Sequence, residues 1–201
     1  ATQEAKHSIH ELDTFFSSVE AYGLKHYPGL FSVEKITGSR LHMYVENNSV
    51  PKTFEIVAAV TKYAFELAGH LNVNVSKYKT LLPFIIHAGA CYGPFYEFEF
   101  KRKDADEMTT IGFAANYAAK LQNMASPSRV LISENIYDAL TSDQKKCFSR
   151  ITSTAIRKYD QTYCYDAEIA KLPVRYNFKR DFERAVEIAK KVDLQDIYFR
   201  S

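Results

Sequence analysis

Two short stretches of this chain concentrate the side chains that could bind or transform a ligand. The first is Val33-Glu34-Lys35-Ile36-Thr37-Gly38-Ser39-Arg40. A lysine at the start of a strand can donate to a ring nitrogen or a carbonyl oxygen, or it can simply be solvated there. Ser39 offers only a hydroxyl, a much poorer magnesium ligand than a carboxylate. The second stretch is Thr109-Thr110-Ile111-Gly112-Phe113-Ala114-Ala115-Asn116-Tyr117-Ala118-Ala119-Lys120-Leu121-Gln122. The Thr109 hydroxyl both donates and accepts, so it constrains a partner less than a carboxylate would. Asn116 stands in an alanine-rich segment where asparagine has poor helix propensity, which asks for core hydrogen bonding or for ligand positioning. Lys120, four residues on, shares its helical face and reads as an anion-binding cation or as a plain surface lysine. Three further groups carry weaker signals. His87 reads as a packed core histidine rather than an acid or base. Asp104, Asp106 and Glu107 read as a solvated hairpin tip rather than a metal site. Tyr92, Phe95, Tyr96, Phe98 and Phe100 could stack on a base, but by default they belong to a sheet core or a dimer interface.

The rest of the chain must position these groups. Its 201 residues suit one compact domain with a small appendage. Hydrophobic residues at 46% and charged residues at 25% are ordinary for a protein with a real core. A net charge of +2 gives no broad basic field, which argues against nucleic acid as a partner. Cys91, Cys147 and Cys164 are scattered and odd in number, with no CxxC pair, so neither a zinc site nor a disulfide framework is indicated. That usage suggests a reduced, cytoplasmic setting. No apolar run approaches the roughly 20 residues that a membrane span requires. The chain starts at Ala1 rather than Met, so a preceding segment is expected.

Periodicity supplies the elements. Residues 3–27 carry Ile9, Leu12, Phe16 and Val19 at helical spacing, ended by Pro28 and Gly29. Two short strands, 30–36 and 41–45, join through Thr37-Gly38-Ser39-Arg40. Pro51 opens a second helix that reaches about Leu71. Residues 82–90 read as a buried strand, and Phe95 to Phe100 alternates strictly as another, with a charged loop over 101–107. A third helix spans 112–124, a strand 129–133, a short helix 134–140, a strand 162–167 and a charged C-terminal helix 178–192. Hairpins mixed with helices indicate an α+β architecture, helices packed on a mostly antiparallel central sheet.

In order and spacing, the two stretches above and Ile86-His87-Ala88-Gly89 between them resemble the class III adenylyl/guanylyl cyclase catalytic domain. The resemblance covers roughly residues 1–169. The family patterns are Lys-x-x-Gly-Asp, Gly-Ile-His-x-Gly, and Gly-x-x-x-Asn-x-x-x-Arg followed by Pro-Ser/Gly and a strand. It implies a ferredoxin-like cyclase fold over residues 1–170, with 171–201 as a helical extension packed on the same domain. It also implies a nucleoside triphosphate substrate, magnesium or manganese as cofactor, and a site formed between two chains of a homodimer or cyclase-type heterodimer.

Carried over residue by residue, the resemblance makes Lys35 and Thr109 the readers of the base, Asn116 the group that orients the ribose, and Lys120 the phosphate-facing cation. Three positions depart from the family. Thr109 stands where an aspartate is common. Lys120 replaces an arginine, which keeps the charge and loses the bidentate fork. Ser39 stands at the place of a metal-binding aspartate, as in the half of mammalian adenylyl cyclases that binds no metal and leaves both aspartates to its partner. The other family aspartate would lie ahead of the first helix, upstream of Ala1. The expectation is a nucleotidyl cyclase making a 3′,5′-cyclic nucleotide and pyrophosphate. Thr109 fits the branch of bacterial antiphage pyrimidine cyclases (Pycsar), whose signals are cCMP and cUMP. The alternative is a degenerate cyclase-like domain that binds nucleotide or only dimerises.

Overall fold

The computed structural model describes residues 3–74, 83–101, 106–174 and 183, and among these residues it contains two long helices, four shorter ones, a four-stranded sheet and two hairpins. Helix α1 (Gln3–His26) buries Phe15, Phe16, Val19 and Tyr22; of the predicted stripe Phe16 and Val19 are buried and Leu12 is partly so, whereas Ile9 is exposed. Helix α2 (Val50–Asn74) answers with Ile56, Val60, Tyr63, Leu67 and Leu71. The two helices meet through a stacked pair, Tyr22 on Tyr63, with ring centroids 4.1 Å apart.

The sheet runs β3 (Ala88–Ala90), β6 (Arg129–Ser133), β8 (Cys164–Glu168), β7 (Ser149–Ile151) in spatial order. Of these pairings β3–β6 is parallel; β6–β8 and β7–β8 are antiparallel. Strand β6 is buried on both faces, and its alternation sorts its side chains. Val130 and Ile132 join Phe54 and Ala58 of α2, whereas Leu131 joins Tyr117 and Leu121 of α3 (Phe113–Met124). Helices α2 and α3 therefore cover opposite faces of one sheet.

Two hairpins complete the set. Strands β1 (Phe31–Thr37) and β2 (Arg40–Val45) turn through Gly38-Ser39, with Gly38 at φ 60°, where glycine carries no Cβ penalty. Strands β4 (Tyr96–Lys101) and β5 (Asp106–Ile111) form the second. The architecture is the expected α+β, antiparallel apart from β3–β6 among the described residues, although its hydrogen bonds divide it into one sheet and two separate hairpins.

Several elements differ from the sequence reading. Within 82–90 only Ala88–Ala90 pairs as a strand. The segment before it is held by a side chain: Asn72 accepts from the Phe84 amide at 2.8 Å and donates to the Phe84 carbonyl at 2.9 Å. The charged stretch read as a loop over 101–107 supplies both sides of the second ladder, with Lys101 opposite Asp106 and Phe100 opposite Glu107. Helix α4 (Glu134–Asp138) is shorter than read. Helices α5 (Ser142–Lys145) and α6 (Thr154–Arg157) and strand β7 were too short to show a period. The helices start instead from side-chain caps, Thr141 in a capping box with Gln144 and Ser153 on the Ala155 amide. After a short 3₁₀ turn (Ile169–Lys171), Leu172 is buried and its carbonyl accepts from Lys62 Nζ at 3.1 Å. The helix expected over 178–192 lies outside the described residues. Among those residues no helix is long and apolar enough to cross a membrane.

One contact tests this packing. A Cβ on Gly89 would lie 2.1 Å from the Gln122 amide nitrogen and 2.4 Å from the Ala118 carbonyl oxygen of α3. These are backbone atoms and cannot swing aside. Gly89→Ala is expected to lower the melting temperature by several degrees or abolish folding. Gly69→Ala, in α2 with nothing within 4 Å, is expected to be neutral or mildly stabilising. Thermal melts of both variants check the pair.

Candidate functional site

Strand β1 contains an irregularity that sets the site. Its ladder with β2 pairs Val33 with Met43 and Lys35 with His42, leaving Glu34 between them without a partner. This is a β-bulge, in which one extra residue redirects the chain. In a regular strand, neighbours 34 and 35 would point to opposite faces. Here both side chains reach β5. Lys35 Nζ donates to Thr109 Oγ1 at 2.7 Å and lies 3.2 Å from Glu34 Oε1. Glu34 Oε1 accepts from the Thr109 hydroxyl at 2.8 Å and from the Thr110 amide at 2.7 Å, and its Oε2 accepts from the Thr110 hydroxyl at 2.7 Å.

The Glu34 carboxylate is 6% exposed and Lys35 31%. Burial alone would raise the carboxyl pKa. The hydrogen bonds from Thr110, Thr109 and Lys35 outweigh it and hold Glu34 down at about 2. His42, opposite Lys35, is pushed down by burial, against the pull of Glu34 and with help from Lys35 and Arg40. The two residues named as base readers are thus brought into direct contact. Glu34, which holds them, carries no site signal in the sequence: it falls on the polar side of the Phe31-Ser32-Val33-Glu34 alternation, and the pattern breaks only after it, at Lys35-Ile36.

Strand β5 ends at Ile111, and Gly112 alone separates it from α3. Thr109, Asn116 and Lys120 therefore ride on one strand–helix unit. Asn116 is exposed and Lys120 half-buried, and neither side chain bonds to a described residue. The core hydrogen bond that would have explained Asn116 structurally is absent among the described residues, so its side chain stands open to a ligand. Arg40 Nη2 donates to Asn123 Oδ1 at 3.0 Å, which ties the β1–β2 turn to α3 one turn beyond Lys120.

Ser39 is exposed in that turn, and the side chain of its neighbour Arg40 reaches across to Asn123. A divalent cation needs anionic oxygen, and the turn offers only a hydroxyl and a cationic side chain. The residues at this turn do not fit magnesium or manganese. No cluster of three or more His, Cys, Asp or Glu exists elsewhere among the described residues.

The weaker candidates resolve in different ways. His87 is exposed, not packed in the core. Its Nδ1 lies 3.1 Å from the Ala125 carbonyl, which can only accept, so Nδ1 carries the proton and Nε2 accepts from the Gln122 amide at 3.2 Å. It secures the end of α3. Asp104 lies outside the described residues, and Asp106 and Glu107 belong to β5. The five aromatics divide. Tyr92 donates to the Asn47 carbonyl at 3.2 Å, and Phe95 packs on Tyr44, whose hydroxyl donates to Glu97. Tyr96, Phe98 and Phe100 are exposed at 70, 47 and 46%, and with Ile111 they line one face of the β4–β5 hairpin. They are not a sheet core. Thr109 stands directly opposite Phe98, so its side chain lies at the edge of this apolar stripe.

The carboxylate gives a pH test. The ordinary value for Glu34 is 4.5 and the folded value about 2, so the folded state prefers the ionised form. This contribution to stability is complete above 4.5 and is lost as pH falls toward 2. Glu34→Gln is expected to flatten the stability profile in that window, as read by denaturant midpoints at several pH values.

No protein-family model matches the sequence, and no curated protein matches it. Solved structures do match. The guanylyl cyclase Cya2 aligns at 11% identity with a TM-score of 0.61, over 86% of this chain and 85% of that one. The guanylate cyclase domain of RhGC from Catenaria anguillulae, solved in complex with GTP, aligns at 13% and 0.62, over 83% and 85%. A bacterial light-regulated adenylyl cyclase aligns at 15% and 0.57, over 91% of this chain; the chain spans about half of that protein. At such identities the likeness speaks for architecture, and the architecture of this chain is that of the adenylyl and guanylyl cyclase catalytic domains.

Proposed function

We propose that the chain is a nucleotidyl cyclase that converts a nucleoside triphosphate to a 3′,5′-cyclic nucleotide and pyrophosphate at a site completed by a second chain. The observation that carries this is the 2.7 Å contact between Lys35 and Thr109, whose strand leads directly into a helix presenting Asn116 and Lys120. In this reading Lys35 and Thr109 hold the base. Asn116 orients the ribose, so that the 3′-oxygen faces the α-phosphorus. As the 3′-oxygen–phosphorus bond forms, the 3′-hydroxyl proton passes to solvent, the bond from the α-phosphorus to the α–β bridging oxygen breaks and pyrophosphate leaves with that electron pair, while Lys120 meets the charge that develops on the phosphate. Thr109 in place of a carboxylate is the single support for the finer reading, a pyrimidine product (cCMP or cUMP) used in antiphage signalling.

The exposed stripe of Tyr96, Phe98, Phe100 and Ile111 is the surface on which a second chain would sit. One of the similar solved structures is a dimeric guanylyl cyclase domain, and another holds GTP. Magnesium or manganese is the expected cofactor, and the Ser39–Arg40 turn does not hold it. In a homodimer both chains would bring Ser39 to that position. A cyclase-type heterodimer could bring an aspartate from the other chain. The same observation favours a second reading, a domain that binds nucleotide and dimerises without catalysis.

The deciding experiment is incubation of the protein with ATP, GTP, CTP and UTP in turn, with Mn²⁺, reading cyclic products by mass. A cyclic product from any of them supports the enzyme; nucleotide binding without product supports the second reading. Asn116→Ala is expected to lower turnover about a hundredfold or more, since removing one preorganised transition-state contact commonly costs that much. Unchanged turnover would reject its assignment. Phe98→Asp is expected to convert a dimer to monomer in sedimentation experiments and to abolish turnover with it.

A further inference from the structure

The proton positions in the Glu34 cluster are determined by the chemistry of its members. A carboxylate can only accept, so the Thr109 hydroxyl donates its one proton to Glu34. An ammonium can only donate, so the same hydroxyl oxygen accepts from Lys35. Thr109 is left with one free lone pair and no free proton. Lys35 spends one hydrogen on Thr109 and one on Glu34 at 3.2 Å, and keeps one. The hydroxyl that looks ambivalent in the sequence is committed to one sense.

We infer that Glu34, set in the bulge of β1, is a positioning residue that fixes the hydrogen-bond polarity of the base-reading pair, with Lys35 presented as donor and Thr109 as acceptor only. This rests on the nucleotide reading above and deepens it. Glu34 itself meets no ligand, since its oxygens are occupied by four donors and its side chain is 6% exposed. Its effect is to give a threonine the accepting sense that a carboxylate would have. The base edge selected must then bring an acceptor to Lys35 and an N–H to Thr109, side by side. All four bases offer such a pair, with the N–H exocyclic beside a ring acceptor in adenine and cytosine and an exocyclic oxygen beside a ring N–H in guanine and uracil, so with the base held in one orientation the opposite order leaves polar groups unpaired, and that mismatch is the source of discrimination.

The test is equilibrium binding of 3′-deoxy ATP, GTP, CTP and UTP, which cannot cyclise, to the full chain and three variants. The quantity read is the ratio between the best and the worst base. A merely structural role for Glu34 would weaken all four nucleotides alike and leave that ratio unchanged. Glu34→Ala frees the Thr109 proton and is expected to reduce the ratio about tenfold, the worth of one hydrogen bond mismatched rather than matched. Glu34→Gln, whose carbonyl oxygen can occupy the Oε1 position and still accept from Thr109, is expected to retain the ratio. Thr109→Val leaves the Glu34–Thr110 bonds in place and is expected to lose discrimination as Glu34→Ala does, which keeps the test open should Glu34→Ala fail to fold.

If the unmodified chain binds none of the four, the nucleotide reading and this inference fall together. If it binds without discriminating, or if Glu34→Ala or Thr109→Val keeps the full ratio, this inference alone is overturned. It is overturned equally if Glu34→Gln loses as much as Glu34→Ala, because charge rather than polarity would then be responsible.

Discussion

A nearly buried carboxylate organises this molecule's candidate site. An ionised group out of water must have its lone pairs filled, because an unsatisfied charge there costs several kcal/mol. Glu34 meets that requirement with four donors, three of them from Thr109 and Thr110 on a different hairpin. The requirement therefore works as a clamp. Strand β5 cannot shift relative to β1 without stripping donors from the charge, and Thr110 contributes its backbone amide as well as its hydroxyl. The side chain of Glu34 thus ties together two hairpins that share no backbone ladder, alongside the Lys35–Thr109 and Tyr44–Glu97 bonds.

From that clamp the geometry propagates along the chain. One residue past β5 begins α3, whose two faces have separate duties. Tyr117 and Leu121 pack inward against Leu131, Ile156 and Cys164, and the backbone at Ala118 and Gln122 is close enough to Gly89 to exclude any side chain there. Asn116, Lys120 and Asn123 fall at spacings of four and three on the outward face. The last is tied to Arg40 in the turn of the first hairpin. The β1–β2 hairpin thus touches the strand–helix unit at both ends, through Glu34 and Lys35 at β5 and through Arg40 at the end of α3. Two hairpin contacts of this kind hold β1 and the strand–helix unit in a constant relation, and with them Lys35, Thr109, Asn116 and Lys120, without these four residues bonding each other throughout.

The sequence made the long elements legible because they bury stripes of regular period. Helices α1, α2 and α3 and strands β2, β4 and β6 all follow from spacing. What it hid were features decided by side chains acting on backbone. Residues 83–87 look like a strand by hydropathy, but the Asn72 amide holds Phe84 in place of a neighbouring ladder. Strand β5 was concealed because Asp106 and Glu107 are charged residues on an exposed hairpin, where pairing rather than burial defines the strand. The motif residues Lys35 and Thr109 could be named, and their contact is seen only in the fold. Glu34 escaped because a bulge breaks the alternation by which strand residues are sorted to faces. His87 was misread for a related reason. A histidine in an apolar run suggests the core, yet this one lies at the surface and bonds a helix-end carbonyl.

The departures at Ser39 and Thr109 differ in kind. At Thr109 the lost carboxylate is replaced within reach: Glu34 supplies the negative charge one step behind it and converts the hydroxyl to an acceptor. At Ser39 nothing comparable happens. Its neighbour Arg40 is a cation turned toward Asn123, and no group of three or more described His, Cys, Asp or Glu residues that could hold a metal ion exists. On the proposed reading, this asymmetry fits a half-site that holds base, ribose and phosphate while a second chain brings the metal ligands. Arg40 at that turn braces the helix that carries Asn116 and Lys120 through its bond to Asn123.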